Sequence, residues 1–171
     1  MDTSEHKIII GAIVNNQFGV LMRITELFTK RCYNIDSLEV GVTDDPDFSR
    51  MTIVATGDAH TEQQIVKQLS KLHAVRFAAI IPPEHASVRE HMLIKLRVGP
   101  DRNADLTSMI NRYGAKVIDF SADTITAEVT GEVASNDAFI EASREFGILE
   151  ICRAGAQALH RGTECLEGSV A

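Results

Sequence analysis

The stretch Ile8-Ile9-Ile10-Gly11-Ala12-Ile13-Val14-Asn15-Asn16-Gln17-Phe18-Gly19-Val20-Leu21 decides how this chain folds. Apolar and small residues run without a break and stop at two asparagines. A helical rhythm then starts at Gly19. Val20, Leu21, Ile24, Leu27 and Phe28 lie at i, i+1, i+4, i+7 and i+8, which is one face of a helix. The segment reads as a strand over 6–14, a polar turn, and a helix over 19–31. The first N–H groups of a helix lack partners within it, and the helix dipole adds partial positive charge there. The turn is therefore a seat for a carboxylate or another small anion. The asparagines add donors and acceptors beside it, a combination suited to a zwitterion such as an amino acid. Asparagine in that place ordinarily caps the helix or forms the turn, so the residues by themselves leave both readings open.

Working outward, a strand over 34–43 carries Ile35, Leu38, Val40 and Val42, and Asp44-Asp45-Pro46-Asp47 reads as a turn. In the strand over 49–56, Met51, Ile53 and Ala55 share one face while Arg50, Thr52 and Thr56 share the other, which predicts a sheet covered on one side only. Gly57-Asp58 breaks that strand. Thr61 with Gln64 resembles a capping box ahead of a helical stripe of Ile65, Leu69 and Leu72. A strand over 75–81 ends at Pro82-Pro83. The order β-α-β-β-α-β is the split-βαβ, ferredoxin-like pattern.

The second half repeats the rhythm. It has a strand over 91–98, a helical stripe of Leu106, Met109, Ile110 and Tyr113 closed by Gly114, and a hairpin of 115–120 with 124–130. A second stripe of Phe139, Ala142, Ser143 and Phe146 is closed by Gly147, and a last strand over 148–159 bends at Gly155. The fold class is therefore α+β, with two ferredoxin-like βαββαβ domains over 1–82 and 83–171. Pro82-Pro83-Glu84-His85 marks the boundary, since paired prolines stiffen a linker. The tail, 162–171, has little to bury and is expected to be mobile. The first strand of the second half ends in Gly99-Pro100-Asp101-Arg102-Asn103, where a proline and charges replace the Asn-x-x-Gly arrangement, so the same ligand is not placed there.

Composition narrows the function classes. Of 171 residues, 44% are hydrophobic and 24% charged, ordinary for a soluble globular protein. The net charge of -7, from 17 basic and 24 acidic residues, opposes a nucleic-acid partner, which needs a basic face. No apolar run reaches bilayer length, the start lacks a basic flank and an apolar signal core, and a soluble cytoplasmic protein is expected. Cys32, Cys152 and Cys165 form no close pair, which argues against a disulfide framework and a zinc site. Of the six histidines only His85 and His91 are near each other, beside Glu84 and Glu90; their spacing is not that of a metal-ligand set, and they read as solvated linker residues. No Ser-His-Asp or Cys-His arrangement stands out, and Asp44, Asp45 and Asp47 lack the spacing of a calcium loop. No catalytic residue and no metal are expected. A sensor of a small metabolite is favoured over a small ferredoxin-like enzyme, which needs a convergent acid-base set.

Several segments together resemble the ACT-domain family of regulatory (small) subunits of acetohydroxyacid synthase, also called acetolactate synthase. They are Asn16-Gln17-Phe18-Gly19-Val20-Leu21, Arg31-Cys32-Tyr33-Asn34-Ile35-Asp36-Ser37-Leu38, Thr43-Asp44-Asp45-Pro46, Ser49-Arg50-Met51-Thr52-Ile53 and Lys67-Gln68-Leu69-Ser70-Lys71-Leu72. Val88-Arg89-Glu90-His91-Met92-Leu93-Ile94-Lys95, Arg153-Ala154-Gly155 and Arg161-Gly162 extend the resemblance to the family's C-terminal domain.

The resemblance implies that the first domain is an ACT domain. It also implies a non-catalytic subunit that activates a large catalytic subunit and confers feedback inhibition by a branched-chain amino acid, usually valine. Thiamine diphosphate, Mg²⁺ and FAD would belong to the large subunit, and no cofactor to this chain. Two ACT domains would pair edge to edge, with the effector in the seam. Asn16, Gln17, Phe18, Gly19, Val20 and Leu21 would come from one protomer, and Asn34 and Ile35 from the other. The resemblance turns the reading of the asparagines from capping to ligand binding. An amino-acid-sensing ACT protein that stands alone and controls another enzyme or a transporter is the alternative. Two residues depart from the family pattern. Cys32 stands where glycine is usual, at a helix exit that requires positive φ. Phe18 replaces a smaller residue or proline and would narrow or cover the pocket.

Overall fold

The structure is a computed structural model that describes residues 4–99 and 102–166. Its contacts divide the chain into two compact units, 4–88 together with 155–166, and Arg89–Ala154. The first unit contains β1 (His6–Asn15), α1 (Val20–Lys30), β2 (Ile35–Val42), β3 (Phe48–Gly57), α2 (Ala59–Leu69) and β4 (Val75–Ile80). The second is built on β5 (Ala86–Arg97), α3 (Asn103–Arg112), β6 (Lys116–Phe120), β7 (Thr124–Gly131), α4 (Val133–Ser143) and β8 (Ile148–Arg153). A short strand, β9 (Gln157–His160), returns to the first unit and pairs with β5, whose residues 86–88 belong there too.

The strand orders are β2-β3-β1-β4 and β6-β7-β5-β8, with antiparallel neighbours throughout, so both units have the expected ferredoxin-like topology. Each buries one helix-side core. In the first, Ile8, Ile10, Ile53 and Ala55 meet Ile24, Phe28, Ile65 and Leu69. In the second, Met92, Ile94, Leu96 and Ala127 meet Leu106, Ile110 and Phe139.

Three local expectations change. The boundary does not fall at Pro82-Pro83. Those prolines lead into a single 3-10 turn (Pro83–His85), and Ile81 and Ala86 on either side of it are buried with the first unit. The sheet of the first unit is covered on both faces. Ile9, Ile13, Val54 and Ala79 look away from the helices and pack with Ala158 and Leu166. The tail is thus anchored as far as Leu166, which is only 5% exposed, while 167–171 lie outside the described residues. The cap of α2 is Asp58 rather than Thr61: its Oδ1 accepts from the Thr61 N–H at 2.8 Å. This bond holds the Asp58 carboxyl below its ordinary range.

The exit of α1 follows the expected left-handed route. Cys32 has φ 57°, and the Cys32 and Tyr33 N–H groups donate to the Thr29 and Phe28 carbonyls, a Schellman closure. The Tyr33 ring packs edge-on against Phe28 at 6.1 Å between centroids, the hydrophobic contact that accompanies that motif.

Candidate functional site

Helix α1 starts behind Gly19, whose φ of 81° is the left-handed conformation that glycine enters at no steric cost. No atom lies within 4 Å of the point where a Cβ would stand, so the turn is open to an incoming molecule. No side chain caps α1. The Val20 N–H reaches the Gln17 carbonyl only at 3.4 Å, and the Arg23 N–H bonds the Gly19 carbonyl at 3.1 Å. The Leu21 and Met22 N–H groups have no backbone acceptor among the described residues.

The asparagines do not cap the helix. The Asn15 N–H donates to the Ala74 carbonyl at 2.9 Å, and the Asn16 N–H to that of Asp47 at 2.7 Å. Asn16 Nδ2 donates to the Pro46 carbonyl at 2.9 Å, which ties the turn to the β2–β3 connection. Phe18 is fully exposed, so within one copy it does not cover the turn. Of the other turn residues, the Val20 side chain belongs to the core, Gln17 is exposed, and Leu21 is about half exposed.

Asn34 and Ile35 open β2. Ile35 packs partly against the helix-side core. Asn34 is exposed and donates from Nδ2 to Asp36 Oδ1 at 2.8 Å. Within one chain these residues do not meet the Gly19 turn. Register places Ile35 opposite Ala55, which in turn faces Ile8, whereas the turn leaves β1 at Asn15 opposite Phe48. From Ile8 to Asn15 is about 23 Å of strand at about 3.3 Å per residue. The structure therefore keeps the sequence-predicted residues as two groups at opposite ends of one sheet.

Sequence reasoning missed a charged cluster in the second unit. Glu90 is buried, not solvated: its Oε2 accepts from Arg153 Nε at 2.8 Å and Nη2 at 2.5 Å. Arg153 Nη1 also donates to Asp137 Oδ1 at 2.7 Å, and Asn136 Nδ2 donates to the Glu90 carbonyl at 3.2 Å. Burial disfavours the Arg153 charge, but the bonds to Glu90 and Asp137 and their charges outweigh it and raise its pKa. The neighbouring His91 pairs with Glu128 at 3.0 Å. Among the described residues no group of three or more His, Cys, Asp or Glu is placed to hold a metal ion, and no helix is long and apolar enough to cross a membrane.

Two ferredoxin-like units, the first opening its leading helix behind a bare glycine turn, define a class of protein built around ACT domains. Residues 10–76 match the family described as AHAS small subunit-like ACT domain, and residues 89–162 the family described as small subunit of acetolactate synthase. The chain is 38% identical over 156 residues to a probable acetolactate synthase small subunit of Archaeoglobus fulgidus, covering 91% of this chain and 97% of that one. It is 40% identical over 159 residues to the acetolactate synthase small subunit of Bacillus subtilis, covering 92% of each. The crystal structure of the Thermotoga maritima acetolactate synthase small subunit superposes with a TM-score of 0.87 at 32% identity, over 93% of this chain and 99% of that one. The chain belongs to the family of acetolactate synthase small, regulatory subunits.

Proposed function

We propose that this chain binds the catalytic subunit of acetolactate synthase, raises its activity, and makes it sensitive to feedback inhibition by a branched-chain amino acid, valine first. The observation that carries this reading is the Gly19 turn, a helix start with no side-chain cap and open space in front of it. Backbone N–H groups there would hold the effector's carboxylate. The condensation chemistry, on thiamine diphosphate, Mg²⁺ and FAD, is the catalytic subunit's.

The ammonium-binding half of the site comes from a second copy. β2 is an edge strand, and Val40 and Val42 on it are 47% and 61% exposed. An exposed apolar edge invites pairing. Antiparallel pairing of β2 with its twin about a two-fold axis carries Asn34 of one copy to the Val42 end of the other. The Gly19 turn stands at that end. An effector bound across such a seam favours one arrangement of the pair, and coupling of this kind is typically about 1–3 kcal/mol.

The test is reconstitution. The chain is co-expressed with acetolactate synthase catalytic subunits, and co-purification, acetolactate formation and its valine dependence are measured. Association, a rise in rate and inhibition by valine are expected. Failure to associate with any such subunit would remove the reading.

A further inference from the structure

The start of β2 holds a polar network that neither hydrophobic core requires. Asp36 falls where the β2–β3 register slips between Ile35 and Ser37. A bulge of this kind leaves a residue outside the ladder and re-aims its side chain. Three donors converge on the re-aimed carboxylate. Oδ2 accepts from Lys7 Nζ at 2.9 Å and from Thr56 Oγ1 at 2.8 Å, and Oδ1 accepts from Asn34 Nδ2 at 2.8 Å. Lys7 and Thr56 face each other across β1 and β3, and Lys7 Nζ also donates to Thr56 Oγ1 at 3.0 Å. The Thr56 hydroxyl therefore accepts from the lysine and passes its own proton toward Asp36. Burial works against ionisation of Asp36, but the bonds from Lys7, Thr56 and Asn34 and the Lys7 charge outweigh it and lower its pKa.

An ionised carboxylate only accepts hydrogen bonds. The Asn34 amide must therefore turn its NH₂ toward Asp36, which sends its oxygen the other way. An ammonium can be met by that oxygen and is repelled by the NH₂. A free asparagine would offer either group. We infer that Asp36, held by Lys7 and Thr56, is a positioning residue that presents the Asn34 oxygen to the effector's ammonium. This rests on the reading of Asn34 as an effector residue.

The test is calorimetry on the full-length chain with L-valine, using Asn34→Ala, Asp36→Ala, Asp36→Asn and the Asn34→Ala/Asp36→Ala pair. Asp36→Asn preserves shape but allows amide to face amide in either sense, so it removes the bias without a cavity. Both single changes at Asp36 are expected to weaken valine about tenfold, the scale of one hydrogen bond to a charged group. On the Asn34→Ala background the change at Asp36 adds less than about twofold, because it has nothing left to orient. The preference for valine over 2-hydroxy-3-methylbutanoate, which lacks the ammonium, also falls about tenfold in Asp36→Ala.

Parent-like valine affinity at Asp36→Asn and Asp36→Ala, with Asn34→Ala impaired, overturns the clamp alone. Losses that simply add in the double variant overturn it as well. If Asn34→Ala binds valine like the parent, or the parent binds neither valine, leucine nor isoleucine, the reading of the site itself fails and the clamp with it.

Discussion

The two units lay their strands in the same order and close their first helix with the same hydrogen bonds, yet they differ at both ends of that helix. At the C-terminal end, Cys32 and Tyr33 return to Thr29 and Phe28 in the first unit, and Gly114 and Ala115 return to Asn111 and Ile110 in the second. The left-handed residue is a cysteine in one, with φ 57°, and a glycine in the other, with φ 65°. At the N-terminal end the glycine is in the first unit instead. Neither α1, which starts behind Gly19, nor α3, which starts behind Arg102, has a side-chain cap, but the first turn of α3 carries Asp105 whereas that of α1 carries no acidic residue. The Arg102 guanidinium donates to Glu145 Oε2 at 2.8 Å and lies 4.5 Å over the Phe146 ring. Apolar spacing sets a topology that both units share. A few residues at each helix start decide how well it suits an anion.

The comparison breaks most easily at Gly19. Gly19→Asp places a carboxylate where the effector's own must sit, and aspartate is among the residues that tolerate positive φ. Like charges in contact cost several kcal/mol, so valine binding should fall about a thousandfold. Gly99→Asp, in the corresponding turn of the second unit, should leave it unchanged. Calorimetry on both variants checks the pair, and equal valine affinity in Gly19→Asp and the parent would place the pocket elsewhere.

The second unit depends on a buried ion pair. Glu90→Ala leaves Arg153, whose side chain is 29% exposed, with only the outer partner Asp137. Breaking one partner of a buried pair costs about 3 kcal/mol. In urea the unfolding midpoint should move to lower denaturant, and a midpoint like the parent's would show the pair to be dispensable.

Exchanging the residues at the two helix exits sharpens the comparison on a smaller scale. Cys32→Gly relieves a left-handed side chain and should stabilise by about 0.5–1 kcal/mol after the glycine's own entropy cost. Gly114→Cys should destabilise by about the same amount. Thermal melts of the two variants should therefore shift in opposite directions, and shifts of the same sign would refute the equivalence of the exits.

The smallest effect concerns Asp58. Its folded pKa is depressed, so its stabilising contribution is present above the unfolded carboxyl value of about 3.9 and disappears as pH falls through the folded value. Asp58→Ala should melt below the parent at pH 7, with the gap closing as the pH drops below the ordinary carboxyl range. A gap that persists in acid would mean that the cap is not what the substitution removes.

Both strand orders and the Gly19 turn were legible because their signals are local: apolar spacing, glycines at helix exits, and an abrupt stop at Asn15-Asn16. The Asp36 clamp was not, because its members come from β1, β2 and β3 and meet only once the sheet forms. Glu90 looked like a solvated neighbour of His91, since its arginine lies far along the chain at 153. The covering of the sheet's second face was misjudged from the polar residues Arg50, Thr52 and Thr56. A signal for it was present in Ile8-Ile9-Ile10, since an unbroken apolar run without alternation marks a strand buried on both sides. Thr52 is itself buried, and Arg50 spends Nη2 on the Ala158 carbonyl at 2.8 Å, so both serve that covering.

That covering has a consequence for how the chain is made. The first unit borrows residues 155–166 from beyond the second, so its rear face, with Ile9, Ile13 and Val54, is unroofed as the N-terminal segment leaves the ribosome. At about 5–20 residues per second, elongation keeps it bare for several seconds while the second unit is translated. The unit whose strands are made earlier is therefore completed last, and part of its apolar rear face waits for residues 155–166.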